Sequence, residues 1–142
     1  MSNTLRNDYS PLFELGLASP PVGVKFSFFR PESMRPLEAE AELSLCEILR
    51  KSQLEKRAFY FSKENKETCI GKIIMGMEDF EPFETSGQIG ERLGVFEEAR
   101  ANQNLYQSVP KLDRGVANYV MFSPADQLSF EPDVLVVSAK PA

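Results

Sequence analysis

Two cysteines, Cys46 and Cys69, are the residues of this sequence best suited to redox or metal chemistry. Cys69 lies in Thr68-Cys69-Ile70-Gly71-Lys72-Ile73-Ile74-Met75-Gly76-Met77. That stretch follows an apolar run, Ala58-Phe59-Tyr60-Phe61, and a charged turn over Ser62 to Glu67. A cysteine opening an apolar, glycine-spaced segment suits a strand–turn–helix junction, where backbone N–H groups stabilise a thiolate. The two cysteines are 23 positions apart, so they do not form a CxxC pair. One reading makes Cys46 and Cys69 ligands of a metal ion or iron–sulfur cluster, or a redox thiol pair. The other makes them small core hydrophobes, where free cysteine is commonly found. Two thiolates do not close a four-coordinate site, and the chain has no histidine to complete one. Water, a carboxylate, methionine, a substrate or a second subunit would supply the rest. A twofold homodimer brings two more cysteines.

Other residues carry weaker signals. Met75, Met77 and Met121 add thioethers, which with thiolates make a Cu(I)-like set, but methionine more often fills gaps in a core. Lys25 sits beside Gly23 on an apolar strand. It reads either as an anion-binding or depressed-pKa amine or as an exposed strand lysine, with Gly23 easing a close approach. Gly87, Gly90 and Gly94 match no phosphate-loop pattern and fit close helix packing. The acidic run Glu78-Asp79, Glu81 and Glu84 lacks EF-hand spacing and reads as a solvated loop.

Composition narrows the function classes. The absence of histidine excludes His-based triads, imidazole bases and His metal ligands. A net charge of −5 with no basic run argues against nucleic acid and anionic membranes as partners. The polar opening from Met1 to Arg6 holds no signal-type apolar region, and no apolar run approaches spanning length. These features predict a cytoplasmic protein with reduced thiols and no membrane span. They also favour a role other than catalysis. With 142 residues, 42% of them hydrophobic, the chain is sized for one domain over residues 1–142 with a real core.

The elements that must position these residues follow from local pattern. Asn7 to Leu17 reads as a short helix with Pro11 in its first turn and Gly16 as its stop. Val22 to Phe29 is the clearest strand, with Val22, Val24, Phe26 and Phe28 on one face. Arg30 to Ala41 reads as a surface loop. Glu42 to Glu55 reads as a helix, or as one starting later from Ser44 with Glu47 completing a capping box. Arg57 to Ser62 is a second strand and Cys69 to Met77 a helix or half-helix. Ser86 to Tyr106 is helical with a break near Gly94. Val116 to Phe122 and Val134 to Ser138 are further strands. Strands and helices mix without strict βαβ alternation. This predicts an α+β fold: a mainly antiparallel sheet of four to five strands packed against helices.

The ordered set of segments resembles the DUF169 family of uncharacterised bacterial and archaeal proteins. The set runs through Pro21-Val22-Gly23-Val24-Lys25-Phe26, Cys46-Glu47, Cys69-x-Gly71 with Gly76, and the glycine-containing helix from Gly87 to Asn104. It ends with Tyr119 to Pro124 and Pro132-Asp133-Val134-Leu135-Val136. The resemblance implies a mixed α/β fold and a role for the cysteines, without an established reaction. Family members are usually longer, with further Cys and Gly after the Pro-Asp-Val strand, so this chain resembles a form with a shortened C-terminal part. The leading expectation is a redox accessory protein with Cys46 and Cys69 as ligands of an iron–sulfur cluster or other metal. Lys25 and the Gly71 backbone would tune that site. The alternative is a non-enzymatic domain, either binding a small anion near Gly23, Lys25 and Gly71 or assembling as a homo-oligomer. A thiol enzyme resting on Cys69 alone is a third expectation.

Overall fold

Val22 and Val24 alternate inward from strand β1 (Val22–Ser27), which is the centre of the fold. A computed structural model describes residues 5–141 of the chain; the first residues of the polar opening, 1–4, and Ala142 lie outside the described residues. On one side β1 pairs antiparallel with β5 (Tyr119–Pro124), with Val24 opposite Phe122. On the other side it pairs antiparallel with β6 (Val134–Val136), with Val24 opposite Val134. β3 (Phe59–Ser62) joins the far edge of β5, which gives the antiparallel order β3-β5-β1-β6. A two-residue parallel pair, β2 (Glu42–Leu43) with β4 (Lys66–Glu67), makes a second, smaller sheet. The predicted α+β class with a mainly antiparallel sheet is the observed one.

Helix α1 (Leu45–Glu55) covers the sheet. Its start is the later one: Ser44 is the N-cap and Glu47 closes the capping box, so Glu42 and Leu43 are free to form β2. Ile48 of α1 is fully buried against Phe59, Phe61, Val120 and Phe122, with the Phe59 and Phe122 ring centres 5.7 Å apart. Met75 and Met77 fill the same core, which is the bland reading of these thioethers. Burying a side chain of this size contributes about 1.5–3 kcal/mol each.

The remaining helices are short. α2 (Gly71–Ile74) is a single turn, and Gly76 beyond it takes φ 70°. α3 (Pro82–Thr85) and α4 (Gln88–Arg92) lead to α5 (Ala99–Ser108), so the helical pattern does break around Gly94. A Cβ on Gly87 would lie 1.9 Å from the carbonyl oxygen of Ala99. Gly87 and Gly90 therefore serve close helix packing, whereas a Cβ on Gly94 would meet nothing within 4 Å and that glycine serves the turn at φ 69°. The predicted helix over Asn7 to Leu17 is a 3-10 segment, Ser10–Leu15, ended by Gly16 at φ 64°. The apolar face that Leu12, Phe13, Leu15 and Leu17 would give such a helix is not buried: Phe13 and Leu15 are exposed.

Candidate functional site

Three chain segments meet at the start of α1. The parallel β2–β4 pair sets Leu43 beside Glu67, and Thr68 N–H donates to the Leu43 carbonyl at 3.2 Å. This register aims the Glu67 carboxylate at two helix starts. Leu45 N–H, at the start of α1, donates to its Oε1 at 2.9 Å. Gly71 N–H, at the start of α2, donates to its Oε2 at 2.8 Å. A carboxylate is well suited to this position, because helix starts present amides with no partner in the helix and carry partial positive charge. Gly71 is required by space: a Cβ there would lie 2.9 Å from Leu45 Cβ and 2.8 Å from Glu67 Cδ.

Cys46 is the residue after Leu45, and Cys69 lies two residues before Gly71. The clamp therefore brings together the elements that carry both cysteines and Gly71. Both cysteines are free thiols and both are exposed. The reading of Cys46 and Cys69 as core hydrophobes does not hold for either, because the α1 residues facing the core are Ile48 and Ser52. Further carboxylates brace the junction without filling it. Hydrogen bonds from the Ser44 backbone N–H and hydroxyl hold the Glu47 carboxyl below its usual range. A hydrogen bond from Lys66 does the same for Glu42, at 2.7 Å. No group of three or more His, Cys, Asp or Glu side chains arranged to hold a metal occurs among the described residues.

Lys25 and Gly23 belong to a different neighbourhood, under the connector between β5 and β6. Lys25 Nζ donates to the Glu131 carbonyl at 3.2 Å and lies 3.9 Å from Asp133 Oδ1. A Cβ on Gly23 would lie 2.5 Å from Leu128 Cδ2. The connector thus rests directly on β1, and the Glu131 carboxylate reaches on to Tyr9 and Asn7. The Tyr9 hydrogen bond holds the Glu131 carboxyl below its usual range and, reciprocally, pushes the Tyr9 hydroxyl up.

Sequence reasoning missed Glu67 and a polar groove at the far edge of the sheet. Glu67 ends a run of charged residues in which nothing distinguishes one glutamate from another until β4 forms. The groove lies between residues 36–39 and the turn at 62–65, with a volume of about 540 Å³. A neighbouring cavity of about 310 Å³ shares Arg30, Ser62, Glu64 and Tyr119 with it. Arg30 Nε donates to the Tyr60 hydroxyl at 3.1 Å, and Tyr60 and Tyr119 pack edge to face at 5.7 Å. Strands over both tyrosines were visible, but the contact of Tyr60 with Tyr119 joins strands far apart in the chain.

No helix among the described residues is long and apolar enough to cross a membrane. Residues 14–142 match the sequence model of the DUF169 family, described as uncharacterised ArCR. No curated protein and no solved structure matches the chain.

Proposed function

The chain belongs to the DUF169 family, and on that premise we propose that it is a redox or metal-handling accessory protein. In this reading Cys46 and Cys69 supply thiolates to an iron–sulfur cluster or metal ion shared with a second copy of the chain. The observation that carries the reading is the exposure of both thiols beside one carboxylate-clamped junction. Unreactive structural cysteines are usually buried, so two exposed ones at one fixed place favour use of the sulfur. One chain offers two of the four ligands that tetrahedral metal sites and cysteine-bound clusters take. A twofold axis beside the junction doubles them. Ile70, next to Cys69 and 37% exposed, would lie in that contact.

The test is substitution. Cys46→Ser and Cys69→Ser are expected each to lose most of the bound metal found in the parent protein when purified without oxygen. Full metal content and an unchanged spectrum in both variants would rule the reading out. The second reading is a metal-free assembly domain whose contact would cover Ile70 and the exposed thiols. That reading predicts dimeric protein with no metal and serine variants that still dimerise.

A further inference from the structure

We propose that the groove at Arg30, Tyr60 and Tyr119 is a binding site for a small aromatic anion: a planar ring carrying a carboxylate or phosphate. This site is separate from the cysteine junction, and its argument does not depend on the thiols.

The anionic part of the inference rests on Arg30 and Lys63. Arg30 lines both cavities and Lys63 the second. Neither makes an ion pair among the described residues, in a chain whose net charge is −5. Of the acids around the groove, Glu38 is neutralised by Arg57 and Lys51, which leaves Glu64 against two cations. Arg30 is also pre-oriented. Its Nε is engaged by the Tyr60 hydroxyl, and Tyr60 is buried. The planar fork beyond Nε keeps its terminal N–H donors for a ligand, the geometry that suits bidentate binding of carboxylate or phosphate.

The aromatic part rests on the walls. Tyr119 borders both cavities, and its ring is set by Tyr60. Phe28 and Phe29 line the second cavity with 58% and 78% of their surface exposed. Their backbone is held in place despite this. Asn118 Nδ2 donates to the Phe28 carbonyl at 3.1 Å, Ser27 Oγ to the Phe29 carbonyl at 2.7 Å, and the two rings pack edge to face at 5.4 Å. Exposed aromatic faces on an anchored backbone, beside an unpaired guanidinium, are the elements of a pocket for a planar anion, and the volume of the larger cavity is in the usual range for small-molecule sites. The floor is equally fixed, because Asn65 caps the 62–65 turn and its Nδ2 donates to the Leu37 carbonyl at 3.3 Å.

The experiment is a ligand-observed saturation-transfer titration of the full chain with two probes, 4-hydroxybenzoate and adenosine monophosphate. Acetate and methyl phosphate, each read through its methyl protons, serve as ringless controls. At least one aromatic probe is expected to bind, and Arg30→Gln is expected to weaken it about tenfold, as loss of a charge-assisted pair does. Arg30 is exposed, so the variant is expected to unfold at the same temperature as the parent. Tyr119→Leu is the second variant, and it should weaken the aromatic probe while leaving ringless anions unaffected. Binding of the benzoate alone assigns the site to aryl carboxylates, and binding of the nucleotide alone assigns it to nucleoside phosphates. No binding of either probe, or binding unchanged in Arg30→Gln, would overturn the proposal. Cys46→Ser should bind the probes as the parent does, which separates this site from the cysteine reading.

Discussion

Gly23 and Gly71 are both positions where a Cβ would collide with a neighbouring segment, and each lies close to a side chain that can do chemistry. Their surroundings differ in kind. At Gly23 the obstacle is the end of the Leu128 side chain, and the nearby Lys25 is occupied by Asp133 and the Glu131 carbonyl. At Gly71 the obstacle is Leu45 Cβ, fixed to the α1 backbone, together with a carboxylate that spans two helix starts. There the thiols of Cys46 and Cys69 stay exposed. The first neighbourhood consumes its polar groups in holding a connector onto the sheet. The second holds its segments through one buttressed carboxylate and leaves its thiols open to solvent. Exposure and fixed position together, rather than residue type alone, distinguish a candidate site from structural packing.

That contrast can be broken at four points. The largest effect is expected from Gly71→Ala, where a backbone-anchored contact at 2.9 Å must give way; the expected loss is about 2–3 kcal/mol, read by chemical unfolding. Glu67→Ala should follow, at about 2 kcal/mol, because two amides lose a charged acceptor. A loss for Glu67→Ala no greater than that of an ordinary surface substitution would show that the carboxylate does not hold the junction. Gly23→Ala is expected to be milder, about 1 kcal/mol, because Leu128 Cδ2 is the flexible end of a side chain. If it proves costlier than Gly71→Ala, the two neighbourhoods have been assigned the wrong way round.

The smallest effect concerns pH. Glu131 has its folded-state pKa lowered by Tyr9, so the stability it lends is present above the ordinary glutamate pKa and is lost as pH falls through the lowered folded value. Tyr9 is raised, so its share is present below the ordinary tyrosine pKa and is lost as pH rises through the raised folded value. Hydrogen exchange at residues 5–9 should therefore quicken, relative to its intrinsic rate, at both extremes. Glu131→Gln should remove the acid limb. Exchange that stays equally protected from neutral pH down to about pH 3 in the parent would contradict this account.

Much of this architecture was legible in local sequence, and the part that was not is instructive. The Ser44–Glu47 capping box, the stop at Gly16 and the break near Gly94 are signals confined to one turn of chain, and each is where the pattern places it. The inward alternation of Val22 and Val24 was equally visible. β2 and β4 were not, because two residues are too short for any periodicity. Glu67 went unnoticed with them, since its importance arises from a pairing across more than twenty residues. The cysteines could be singled out by type, but exposure belongs to the packed α1, which turns Ile48 inward and leaves Cys46 outside. The groove at Arg30 depends on Tyr60 and Tyr119 meeting across β3 and β5, a register that only the folded sheet supplies.

The most direct test of the proposed function is iron, sulfide and zinc content together with native mass, measured on protein purified without oxygen. The account predicts a dimer with about one metal centre per two chains, because in the proposed reading each chain, with its two exposed cysteines, would contribute two of four thiolates. Metal-free protein, or a monomer carrying a full complement of metal, would contradict it.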